Sequence, residues 1–128
     1  MVQKLTRCRV VDTSGAGWVQ VFHVYRGTFH KVAVVGDYVK SSIKQVAFYP
    51  RRVRGKRYRP LRQGYVVRGL LLHTTHPTRF LDNTRVSFPA NTLALLKRRG
   101  LLKSKYVIGP ILRVARRPQF EATFLEEL

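Results

Sequence analysis

Acidic side chains are scarce in this chain. Its 128 residues hold only 6 Asp plus Glu, and Glu121, Glu126 and Glu127 all fall in the last eight positions. Asp12, Asp37 and Asp82 are the only acids before them. Each sits in a turn-like context, where a short carboxylate closes a turn by accepting a backbone N–H. Two-metal phosphoryl chemistry needs clustered carboxylates, so it is excluded. One cysteine, Cys8, excludes an internal disulfide. It lacks the paired Cys spacing of a zinc site, even with His73 and His76 at hand. No serine stands in a nucleophile elbow and no glycine loop is built to cradle phosphate. The expectation is no catalytic residue, no metal, no cofactor, no small-molecule substrate and no enzyme.

Long hydrophobic runs are missing too. Aliphatic stretches such as 70–72 are far too short to span a bilayer. The basic residues are not segregated onto one amphipathic helix either, so no membrane partner is expected. No signal peptide is visible. Residues 1–11 are basic and free of acids, a superficial likeness to an organellar presequence. They run directly into a turn, however, and read better as a first strand.

Positive charge is what the chain has instead. It carries 25 Lys plus Arg, a formal net charge of +19 and a sequence pI near 11.4. A compact body so charged repels itself unless a polyanion neutralises it, and nucleic acid is the natural counter-charge. A hydrophobic share of 45% argues for a folded domain rather than a basic tail. The length suits one domain, 1–128, able to bury a core without a staple.

The pattern is mainly β. Residues 5–11, 18–25 and 32–35 are apolar or β-branched stretches separated by the turn at Asp12, Thr13, Ser14 and Gly15 and by Arg26-Gly27. Residues 38–46 alternate, with Val39, Ser41 and Ile43 facing one way and Lys40, Ser42 and Lys44 the other. Strand character resumes at 65–72. Five or six short strands with regular turns predict a small closed barrel, which removes open sheet edges. The barrel is expected over about 1–90. The rest, about 91–128, is expected to be short helices and loops. A helical turn or two is expected within 92–102, a short helix at 111–117 and another at 120–128.

Three basic clusters carry the binding expectation. The densest is Arg51, Arg52, Arg54, Lys56, Arg57, Arg59 and Arg62, seven cations in twelve positions, with Tyr58 among them. Arg presents a planar fork to phosphate oxygens and stacks on bases, and Tyr stacks on an exposed base. The second is Lys97, Arg98, Arg99, Lys103 and Lys105; the third is Arg113, Arg116 and Arg117, which share a face at helical spacing. With Lys40 and Lys44 these are the expected RNA contacts. Patches on several sides suit a protein embedded in a large folded RNA.

The chain resembles the universal large-subunit ribosomal protein family number fourteen ("L-fourteen"). The resemblance runs through Met1-Val2-Gln3, Asp12-Thr13-Ser14-Gly15-Ala16, Val35-Gly36-Asp37, Tyr65-Val66-Val67-Arg68, Arg79-Phe80, Asp82-Asn83 and Gly109-Pro110-Ile111 with Arg113 and Arg116. Their order and spacing, more than any one motif, carry it. The resemblance implies a five-stranded closed barrel (OB/SH3-like) with short C-terminal helices and binding to large-subunit rRNA through the loop at 51–62. It implies neighbouring large-subunit proteins, a bridge to small-subunit rRNA, and a ribosome silencing factor docking on the C-terminal side. Departures occur where the family's basic hairpin is expected, at 69–78, in the longer 80–109 connection, at Val114, where the family has Glu, and in the acidic end. Such divergence with high charge implies a mitochondrial ribosome, with a bacterial or plastid one as the alternative.

Two other functions compete. A free-standing barrel that grips single-stranded nucleic acid would expose aromatic residues on one sheet face, with Trp18, Phe22, Tyr25 and Phe29 as candidates, although core packing accounts for Trp18 and Phe22 at least as well. A small nuclease would need His73 or His76 for turnover.

Overall fold

The computed structural model describes residues 1–29, 31–47, 61–98, 100–104 and 106–115. Five strands close a barrel: β1 (Arg7–Val10), β2 (Ala16–Val24), β3 (Tyr38–Val46), β4 (Val66–His73) and β7 (Thr92–Leu96), in that order around the ring. Antiparallel ladders join β1 to β2, β2 to β3, β3 to β4 and β4 to β7. The parallel pairing of Arg9 with Thr92 and Val10 with Leu93 seals the ring. A two-stranded hairpin, β5 (Thr78–Arg79) and β6 (Arg85–Val86), stands between β4 and β7, and a 3-10 turn spans Arg113–Ala115.

Alternation explains the strands. In β1, Cys8 and Val10 are buried while Arg7 and Arg9 are exposed. In β3, Val39, Ser41 and Ile43 point into the barrel, the face read from the sequence. The interior is filled by Cys8, Val19, Val21, Val39, Ile43, Leu71, Leu93 and Leu95, with Val2 and Ala33 closing one part of it through mutual backbone hydrogen bonds of 2.9 and 2.7 Å.

A second core lies on the outside of β4 and β7. There Leu70, Leu72, Ala94 and Leu96 pack under Leu102, Val107, Ile111, Leu112 and Ala115. β7 is therefore buried on both faces, all five of its residues included. This corrects the helix expected within 92–102. An apolar run buried on two sides loses the alternation that marks a strand, and Leu93, Leu95 and Leu96 then mimic a helical face. The closing strand accordingly lies beyond residue 90. The run 32–35 also differs from expectation: it contributes only the Val2–Ala33 bridge. Of the helix expected at 111–117, the described residues hold one 3-10 turn. The helix expected at 120–128 lies outside the described residues.

Glycine is required where this outer layer meets the barrel. Gly36 has φ of +90°, and a Cβ on it would stand 2.8 Å from the Val114 carbonyl oxygen. Only a residue without Cβ takes that backbone conformation and that approach cheaply.

Candidate nucleic-acid interface

The three aspartates serve the fold. Asp12 is buried, accepts hydrogen bonds from the Ser14 N–H (3.0 Å) and the Leu95 N–H (2.7 Å), and also takes the Ser14 hydroxyl. Burial raises its pKa above the ordinary carboxylate value, partly opposed by these donors and by Lys103. Asp37 accepts from the Val34 N–H at 2.8 Å and pairs with Arg26 at 3.2 Å. Asp82 closes a turn on the Thr84 amide and hydroxyl, which hold its carboxyl below the ordinary value.

The nucleophile and ligand candidates are likewise absorbed. Cys8 lies in the barrel interior, and burial pushes its thiol up to about 11. His73 donates from Nε2 to the Pro110 carbonyl, accepts the Thr92 hydroxyl at Nδ1 (2.6 Å) and packs on Phe88. Burial lowers its pKa. His76 is exposed. Among the described residues no group of three His, Cys, Asp or Glu comes together.

What remains on the barrel's outside is cationic. Closure of β3, β4 and β7 brings Lys40, Lys97 and Arg98, distant in sequence, around one hollow of about 230 Å³ with Arg68. Lys97 and Arg98 open the turn after β7, held by the Lys97 N–H to Leu101 carbonyl bond of 2.6 Å. Lys44 and Arg62 are exposed near the opposite end of β3, where the basic loop departs. Arg113 is exposed on the 3-10 turn. Lys103 is half-buried and faces Asp12. Burial lowers its pKa, partly opposed by that carboxylate. Arg51, Arg52, Arg54, Lys56, Arg57, Tyr58, Arg59, Arg99, Lys105, Arg116 and Arg117 lie outside the described residues.

The sequence reading missed several outward residues. Arg7 and Arg9 are exposed on β1, and Arg9 lies directly opposite Trp18. Arg68 lies opposite Lys40, which in turn lies opposite His23. Strict alternation with Cys8 and Val10 is the signal that marks Arg7 and Arg9 as outward. Trp18 and Phe22, for which core packing was expected to serve at least as well, are instead 42% and 40% exposed, as are Tyr25 at 43% and Phe29 at 93%. Among the described residues this basic, aromatic sheet face carries no strand carboxylate, which suits phosphate and base contact.

The family model of ribosomal protein L14p/L23e matches residues 1–124. The chain belongs to this family. It is thus a ribosomal protein with a structural rather than catalytic role, a constituent of the large subunit. It is 26% identical over 124 residues to "Large ribosomal subunit protein uL14m" of Tetrahymena pyriformis, covering 97% of each chain. It is 31% identical over 116 residues to "Large ribosomal subunit protein uL14" of Mesomycoplasma hyopneumoniae (strain 7448), covering 91% of this chain and 88% of the relative. The barrel's five strands, the buried Asp12 turn and the outer layer over β4 and β7 all fall within the matched span.

Proposed function

We propose that this L14-family chain binds large-subunit rRNA and sits near the face that meets the small subunit. The observation that carries this is the convergence of Lys40, Arg68, Lys97 and Arg98 on one hollow. The mechanism is electrostatic and geometric. Lys and Arg neutralise phosphates and release counterions, while the closed barrel fixes their spacing. The loop at 51–62, with seven cations, is the second and denser contact. Neighbouring large-subunit proteins, a bridge to small-subunit rRNA and a silencing factor on the C-terminal side complete the proposed partners. The resemblance to the family supports them. The high charge and the departures from the family pattern favour a mitochondrial ribosome over a bacterial or plastid one.

Sucrose-gradient sedimentation in magnesium and about 0.5 M salt, which strips loosely held basic proteins, tests the reading. Retention with the large subunit is expected. A chain left at the top of the gradient while other large-subunit proteins hold refutes it. The free single-strand-binding barrel, favoured by the exposed Trp18, Phe22 and Tyr25, would then lead. Replacing Arg52, Arg54 and Arg57 with Ala should flatten the salt dependence of rRNA binding by roughly 0.7 to 0.9 log units per lost phosphate contact. An unchanged slope would mean the loop faces solvent.

A further inference from the structure

Among the described residues, one cross-strand row on the barrel's outer face sets cations side by side with no carboxylate paired to them. His23 on β2 lies opposite Lys40 on β3, and Lys40 lies opposite Arg68 on β4. Like charges directly opposite on one face of a sheet destabilise it. The acid nearest in sequence, Asp37, is taken by Arg26 and the Val34 N–H. At the end of this row stands Tyr25. Its ring meets His23 edge-on, with centroids 4.9 Å apart and planes at 83°, and Arg68 lies over it at 5.8 Å. Two neighbours thus set the ring's orientation while it stays 43% exposed.

Tyr25 also forms the ridge between two clefts. One, about 1020 Å³, is lined by Tyr25 with Lys4, His23 and Lys31. The other, about 440 Å³, is lined by Tyr38, Arg68 and Arg98. A cleft of this size with an ordered aromatic wall and cations on both flanks takes an extruded base and its phosphates. A duplex keeps its base faces stacked away and offers none to such a ring. The β2–β3 ladder runs from Ala16 opposite Val46 to Val24 opposite Val39. The loop at 51–62 follows the first end, and Tyr25 follows the second.

We infer that the Tyr25 ridge is a docking site for an unpaired nucleotide of the large-subunit rRNA, its base on the tyrosine ring and its flanking phosphates along Lys40 and Arg68 and toward Lys4 and Lys31. This rests on the rRNA-binding reading above and adds a second, single-stranded contact at the other end of the β2–β3 ladder from the basic loop. Ultraviolet cross-linking of intact, salt-washed large subunits tests it, with peptide mapping of nucleotide adducts. An adduct on the peptide carrying Tyr25 is expected. Tyr25→Ala should abolish it and weaken retention on the subunit roughly tenfold, the loss expected for one stacked base. Tyr25→Phe should keep both. Arg68→Gln, at an exposed position, should lower the salt slope of retention by about 0.7, one single-strand phosphate contact. A retained chain whose adducts all lie elsewhere, with unchanged Tyr25→Ala and Arg68→Gln subunits, overturns the inference and leaves the rRNA reading intact. A chemical cross-link from Lys4 or Lys31 to a neighbouring protein, with no nucleotide adduct, overturns it in favour of a protein contact. A chain absent from the subunit overturns both.

Discussion

Replacing Asp12 should be among the costliest single changes in the protein. Its carboxylate sits where three segments meet: the end of β1, the middle of β7, and the stretch whose Val107 bridges back to it. Asp12→Ala removes the acceptor for the Leu95 and Ser14 amides and for the Ser14 hydroxyl. Each buried donor left without a partner costs about 1–3 kcal/mol. The relief of no longer burying a carboxylate offsets part of this, so the net is about 2–4 kcal/mol. For a chain of this size that lowers Tm by roughly 10 °C. Asp12→Asn keeps one oxygen but sets an N–H₂ against one of the donors, and should lose most of the same stability. The pH dependence has a definite sign. Because burial raises the folded-state pKa, the stability linked to this group is fully present below the ordinary carboxylate value. It is lost as pH rises through the raised one. The wild type's advantage over Asp12→Asn should therefore narrow as pH rises through that window. Urea melts followed by Trp18 fluorescence and by circular dichroism, at several pH values, measure both quantities. A loss below about 0.5 kcal/mol would show that the junction relaxes to water, well short of the cost of a buried unpaired donor. An advantage that widens with pH would refute the dominance of desolvation.

Other outcomes follow from the same packing. Gly36→Ala should cost about 2–4 kcal/mol from left-handed backbone strain and the contact with the Val114 carbonyl, read as a lower urea midpoint at unchanged slope. Cys8, at about 11 and inside the barrel, should react with a thiol reagent at pH 8 at least roughly a hundredfold more slowly in the native protein than in the unfolded one. His73 has its folded pKa lowered by burial, so stability linked to it is present above the ordinary histidine value and is lost as pH falls through the lowered one. His73→Gln should flatten the acid side of the stability–pH profile, and an unchanged slope would place the acid sensitivity elsewhere.

How legible all this was depends on how many faces a segment buries. β3 has one wet face, and its bounds, Tyr38–Val46, were readable from the alternation of Val39, Ser41 and Ile43 with Lys40, Ser42 and Lys44. β7 has none, so its leucines carried no period, and the strand read as a helix. The outer layer over β4 and β7 was invisible for the same reason. Val107, Ile111 and Leu112 are buried by a surface that exists only after the barrel has closed. The candidate interface was half legible. Lys40, Lys97 and Arg98 were named from local charge, but their meeting around Arg68 is a product of register, which no local pattern carries. Trp18 and Phe22 misled in the other direction, because large aromatics in a strand suit a core and a stacking surface alike.

The parallel seam between Arg9-Val10 and Thr92-Leu93 has a consequence for how the protein is made. A ribosome emits the first seam residue more than eighty positions before its partner, so the ring cannot close until the chain has been made through Leu93. Contacts so far apart in sequence are slow to close. Until they close, β1 exposes an unpaired edge on a chain dense in cations. The vulnerable form of this protein is therefore the unfinished one, and the order of its synthesis sets how long that form persists.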